Sequence, residues 1–126
     1  MSRCNLDNVG VIIIDSKTTP FRWGTTGFSL AHSGFAAIRD YIGKPDVFGR
    51  KLEYTKLNVA DSLSSMAVLV MGEGKEQTPI AIIEEADIEF QDRNPSKEEC
   101  KELQIAKEED LYAPLLQSVK WKKGKA

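Results

Sequence analysis

The residues best suited to carry chemistry fall in three short stretches. Asp15 and Ser16 end the apolar run Val9-Gly-Val-Ile-Ile-Ile14 and open a loop rich in Thr, Pro and Gly. A carboxylate beside a hydroxyl is a donor set for a hard divalent cation, because Mg²⁺ takes one or two carboxylates and keeps its other positions for waters and phosphate oxygens. On spacing alone, the commoner role of such an aspartate is to cap the loop. Inside that loop Arg22 stands between Phe21 and Trp23. Its planar guanidinium offers five donors to a carboxylate or phosphate, with aromatic neighbours able to stack, although a structural ion pair is the other reading. The third stretch, Met71-Gly72-Glu73-Gly74-Lys75, sets two glycines around an acid. It closes a predicted helix and so lacks the positive helix N-terminus that phosphate-binding glycine loops use.

Other nucleophiles and bases are poorly supported. His32 is the sole histidine, with no partner inferable, and reads as a packed or surface residue rather than an acid–base catalyst. Cys4 and Cys100 form no CxxC and have no histidine cluster nearby, which argues against zinc and for two ordinary thiols.

These groups need elements to hold them. The β-branched run Val9–Ile14 predicts a strand covered on both faces. Ser16 to Gly27 predicts a long loop, and loops of that length are frequently functional. Phe28 to Ala31 suggests a second strand broken at Gly34, and 35–42 either a short helix or an irregular crossover. Leu52 to Val59 alternates imperfectly and reads as a strand. The clearest helix follows: Val59, Leu63, Met66, Ala67 and Val70 recur at three- and four-residue steps, with Asn58 as N-cap, Asp61 complementing the first-turn dipole and Gly72 as the stop. Pro79-Ile-Ala-Ile-Ile83 predicts another buried strand. Ser96 caps a predicted helix beginning at Lys97, and 108–116 predicts a last helix interrupted by Pro114. The sum is an α+β fold, a mixed β-sheet with packed helices, in one domain over residues 1–126 with a basic tail from 117.

Composition narrows the function classes. A chain of 126 residues, 41% hydrophobic and 29% charged, can bury roughly two thirds of its unfolded surface and needs no disulfides to hold a core. No apolar run approaches the ~18 residues of a membrane span, and the first seven residues lack a secretory signal's apolar stretch, so the expected location is the cytoplasm. Residues 84–110 carry 11 acids against 4 bases, a charge that repels nucleic acid, and the lysine tail (Lys120, Lys122, Lys123, Lys125) lacks interleaved aromatics for stacking bases. No nucleic-acid or membrane partner is expected.

Taken together, several motifs resemble one family. Val11-Ile-Ile-Ile-Asp15-Ser16, Pro20-Phe-Arg22-Trp-Gly24, the 40–52 stretch with Gly43-Lys44, Asp46 and Phe48-Gly49-Arg50, then Ala60-Asp61-Ser-Leu63 and Leu69-Val-Met71-Gly72-Glu73, are similar in order and spacing to the C-terminal half of the γ-glutamyl ligases that add glutamate to the deazaflavin coenzyme F(420). The continuation Glu73-Gly-x-Glu-Gln-Thr-Pro-x-Ala-Ile-Ile-Glu84, with Glu89-Phe-Gln-Asp-Arg-Asn-Pro95 and Asp110-Leu-Tyr-Ala-Pro-Leu-Leu116, resembles a bacterial branch labelled as a folate-metabolism γ-glutamate ligase. The resemblance implies a GTP-dependent reaction in which an acceptor carboxylate is phosphorylated and the amine of L-glutamate displaces the phosphate to give an amide. Such chemistry leans on divalent cations and little on proton transfer, so a site of Asp, Ser, Glu and Arg suffices.

By the same resemblance Asp15, Ser16 and Glu73 are ligands of Mg²⁺ or Mn²⁺. Met71, Gly72, Glu73, Gly74, Lys75, Glu76, Gln77 and Thr78 contact the nucleotide, and Arg22 contacts phosphate or substrate. Thr19 stands where relatives carry an arginine before the loop proline. Family members are longer, and the half preceding these motifs holds another metal-binding aspartate. The implied partners are therefore GTP, L-glutamate, a carboxylate-bearing acceptor and a second copy in a homodimer, and the chain is either a fragment or lobe of a longer ligase or a short homologue that works with a separate N-terminal half. The competing expectation is a non-catalytic nucleotide-binding or dimerisation module of the same descent.

Overall fold

A computed structural model describes residues 6–120 and 122. The chain begins with a hairpin: β1 (Val11–Thr18) pairs antiparallel with β2 (Thr25–Ser33), Val11 opposite Ser33 and Thr18 opposite Thr25. The register shifts between Ile13 and Ile14, which face Ala31 and Ser29 and leave Leu30 as the extra residue of a bulge. A second two-stranded antiparallel sheet joins β3 (Ile38–Asp40) to β4 (Lys56–Asn58). The helices are α1 (Val59–Met71), α2 (Lys97–Glu102) and α3 (Ala113–Gln117). The result is an α+β fold, and among the described residues no helix is long and apolar enough to cross a membrane.

Helix α1 organises the packing. Asn58, in an extended conformation, accepts the Asp61 N–H through its side chain at 2.9 Å, meeting one of the donors that every helix start leaves unpaired. Val59, Ala60 and Leu63 then face Phe35 and Ala37, and Ile12, Ile83, Ala86, Ile88 and Leu103 pack partly against that core. The helix lies so close to β2 that a side chain at Gly27 would bring its Cβ to 2.2 Å from the Ser64 carbonyl oxygen. Only glycine fits there.

Several expectations need correction. Half of the predicted long loop is strand, because residues 16–18 and 25–27 continue the hairpin and only 19–24 connect it. The first strand is covered on one face alone: Val11 and Ile13 are 58% and 60% exposed while Ile12 joins the core. The segment Pro79–Ile83 forms no strand, and Ile80 and Ile82 are 80% and 83% exposed. Within 52–59 only Lys56–Asn58 form a strand, although Leu52 and Thr55 also make backbone hydrogen bonds with 41–44, and 35–42 holds a short strand instead of a helix. Pro114 is the second residue of α3, in the first turn where its missing N–H costs nothing, and does not interrupt it. Ser96 caps α2 as expected, with Glu99 completing a reciprocal capping box. Cys100 is free and exposed. Cys4, Lys123 and Lys125 lie outside the described residues.

Candidate functional site

The site forms where the second half of β1 meets the loop that follows α1. Asp15 and Ser16 are consecutive strand residues, opposite Phe28 and Gly27. The Ser16 N–H donates to Asp15 Oδ1 at 2.7 Å, and the Ser16 hydroxyl donates to Glu73 Oε2 at 3.1 Å. Two of the three predicted metal ligands, 57 positions apart in sequence, are thus in direct contact, and the third adjoins them through the backbone. Asp15 does not cap the following loop; the N–H it accepts is that of its strand neighbour.

Glu73 is delivered by the way α1 ends. Gly72 takes φ +79°, ψ 175°, a conformation that side chains disfavour, and its N–H still bonds the Val68 carbonyl at 2.9 Å. The loop then closes on itself. Glu76 folds back against Gly72 and accepts the Gly74 N–H at 2.8 Å, while the Thr78 hydroxyl donates to the Met71 carbonyl at 2.6 Å. Gln77 adopts positive φ at the reversal. Lys75, between them, is exposed.

Asp15, Ser16 and Glu73 offer two carboxylates and a hydroxyl, all oxygen and all open to water, a set suited to a Mg²⁺- or Mn²⁺-type ion that retains solvent. Among the described residues no three His, Cys, Asp or Glu side chains converge, so any cation here would draw much of its shell from water or ligand oxygens. Arg22 is not gathered into this group. It sits on the exposed 19–24 connection between Phe21 and Trp23, both fully exposed, and has no ion pair among the described residues, so the structural-pair reading is not met either.

Three residues beside the site were not picked out as functional by sequence reasoning. Asp61, expected only to complement the dipole of α1, accepts the Ser29 N–H at Oδ1 and the Lys17 ammonium at Oδ2, each at 2.9 Å. Lys17 also lies over the Phe28 ring, 5.3 Å from its centroid. No local pattern announces these contacts, since the partners are 44 and 32 residues from Asp61. Away from the site, His32 packs at a tilt on Phe35, and burial lowers its pKa while the charge of Glu99 opposes the shift. Of the two expectations, packed or surface, the contact with Phe35 fits the first.

Comparison with known proteins shows where most of this chain finds relatives. A coenzyme F(420):L-glutamate ligase of Methanococcus maripaludis is 42% identical over 105 residues, covering 83% of this chain and 40% of the relative. The corresponding protein of Methanocaldococcus jannaschii is 42% identical over 104 residues, 82% of this chain and 40% of the relative. That of Archaeoglobus fulgidus is 44% identical over 75 residues, 60% of this chain and 30% of the relative. The chain therefore spans about 40% of the length of the first two of these relatives. The profile of the F(420)-0:gamma-glutamyl ligase family matches residues 2–85, a span that holds both strands of the hairpin, all of α1 and the Glu73 loop. With two thirds of its residues inside that match, the chain belongs to the F(420)-0:gamma-glutamyl ligase family.

Proposed function

We propose that this chain is the C-terminal lobe of a GTP- and divalent-metal-dependent γ-glutamyl ligase, of the bacterial folate-type branch. In this reading it joins L-glutamate to an acceptor carboxylate through an acyl phosphate. The observation that carries the reading is the Ser16–Glu73 contact, which joins two remote segments into one oxygen-donor cluster with Asp15 beside it. Mg²⁺ or Mn²⁺ held there would neutralise phosphate charge and bring donor and acceptor into line.

The residues have separable roles in this proposal. Asp15, Ser16 and Glu73 hold the metal from the sheet and from the end of α1. The closed loop Met71–Thr78, shaped by Gly72 and Gly74, lies along the nucleotide, with Lys75 free to meet phosphate oxygens. Arg22, exposed on the hairpin turn, approaches phosphate or the acceptor carboxylate only once substrate or another polypeptide covers that turn. A carboxylate acceptor makes the first step economical, since phosphate transfer to it needs no base; the glutamate ammonium gives up one proton to solvent before its nitrogen attacks and a second as phosphate leaves and the amide forms. The working assembly is a cytoplasmic homodimer in which the family's N-terminal half completes the site.

Titration calorimetry with Mn²⁺ and GTP tests the proposal. The wild-type chain is expected to bind Mn²⁺, and GTP only with Mn²⁺ present, while Glu73→Ala weakens Mn²⁺ by about tenfold or more, as loss of a ligand-shell carboxylate does. Absence of metal-dependent GTP affinity, even with an N-terminal half supplied, would count against it. A second reading, a non-catalytic nucleotide-binding or dimerisation module, draws on the exposed apolar residues Val11, Ile13, Ile80 and Ile82. Glutamate transfer by the isolated chain would exclude that second reading.

A further inference from the structure

Asp61 is engaged on three sides, yet nothing in the metal or nucleotide reading uses it. Its Oδ1 accepts the Ser29 N–H from β2 and its Oδ2 accepts Lys17 Nζ from β1, each at 2.9 Å. Its own N–H is held by the Asn58 cap at 2.9 Å, and its carbonyl oxygen, with that of Gly27, accepts the Ser65 hydroxyl at 3.0 Å. One carboxylate therefore ties both strands to the first turn of α1, where the helix dipole favours a negative charge. Lys17 directly follows Ser16 along β1, and the Phe28 ring beneath its ammonium stands opposite Asp15. From Asp61 the helix runs unbroken to Met71, and Gly72 passes the chain to Glu73. The fastening at its start thus fixes where Glu73 emerges relative to Ser16.

We propose that Asp61 is a positioning residue, holding α1 against the hairpin so that Glu73 meets Ser16. Its importance for metal binding rests on the ligand reading above, but the juxtaposition it controls is measurable without any metal. The two oxygens have different duties. An asparagine at 61 keeps an acceptor for the Ser29 N–H and loses the charge that holds Lys17, so Asp61→Asn and Lys17→Met remove the same tie from opposite ends.

In a chain carrying Cys4→Ser and Cys100→Ser, the pair Ser16→Cys and Glu73→Cys supplies two thiols. The rate at which a short bifunctional thiol reagent joins them reports how often the two segments meet. Adding Asp61→Asn or Lys17→Met is expected to slow joining by about fivefold, the size expected for loss of one partly shielded ion pair. Ser62→Ala removes a bond of similar kind from the same turn, to the Asn58 carbonyl, without touching either strand, and is expected to leave the rate unchanged. In the chain with its native cysteines, Mn²⁺ affinity falls in parallel for Asp61→Asn and Lys17→Met. Unchanged joining in both variants, or equal slowing by Ser62→Ala, overturns the proposal. Should Asp61→Asn fail to fold, Lys17→Met decides, since Lys17 is partly exposed. A wild-type chain that binds no Mn²⁺ refutes the ligand reading, and the joining rates still judge Asp61.

Discussion

A serine hydroxyl that donates to a glutamate 57 residues away is a small interaction in water, worth about 1 kcal/mol, so its interest lies in what it brings together. The meeting of Ser16 with Glu73, and Asp15 beside them, accords with the family resemblance carried by their neighbouring strings, while their role as ligands belongs to the proposal. The contacts of Asp61 were not legible in the sequence, because its partners come from other elements and no local spacing encodes them. Charge also acts elsewhere at single residues. The Arg93 guanidinium grips both oxygens of Glu99 at 2.6 and 2.7 Å, the Ser96 N–H adds a third bond, and together they hold the Glu99 carboxyl down to about 2 from an ordinary 4.5. A carboxyl depressed on folding contributes stability that is complete above its unfolded value and drains away as pH falls through its folded one. The attachment of α2 is therefore expected to hold above about pH 4.5 and to weaken toward pH 2. Glu99→Gln removes that dependence, which amide exchange across 96–103 at stepped pH would read. An unaltered pH profile in the variant would refute the assignment.

At the scale of elements, α1 was fully readable and the strands only partly. A helix announces itself locally, through its cap, its apolar stripe and its terminal glycine, and Val59–Met71 carries all three. The Asn58 cap leads to a direct expectation: Asn58→Ala lowers stability by about 1 kcal/mol, measured by urea unfolding, whereas Ser62→Ala changes little. Strands depend on distant partners. Val11–Ile14 and Pro79–Ile83 have similar apolar composition, yet the first finds β2 across a six-residue connection and the second finds no ladder. Their composition says that both want cover, and not what supplies it. The bulge at Leu30 was likewise invisible, since it depends on how two strands fall into register and on no residue type.

For the molecule as a whole, cover is uneven. The core gathers beneath the first turns of α1, while Val11 and Ile13 on the hairpin, Leu69 and Val70 late in the helix, and Ile80 and Ile82 beyond it stand in solvent. If these side chains adjoin one another, they form the kind of apolar surface that contacts another polypeptide. Ile80→Lys with Ile82→Lys is therefore expected to reduce self-association of the isolated chain in sedimentation velocity, with folding retained because neither side chain enters the core. An unchanged association state would move the contact elsewhere on the surface. Helix α1 is rooted at one end only: Gly27, Ser29 and Lys17 all engage its first half, and its last turn is largely bare. Thirteen residues at 1.5 Å each make an arm of about 20 Å, so a tilt of about 5° at the root swings the tip by nearly 2 Å. Glu73 rides that tip, and whatever eventually grips the far end of the arm will set how steadily it is held over Ser16.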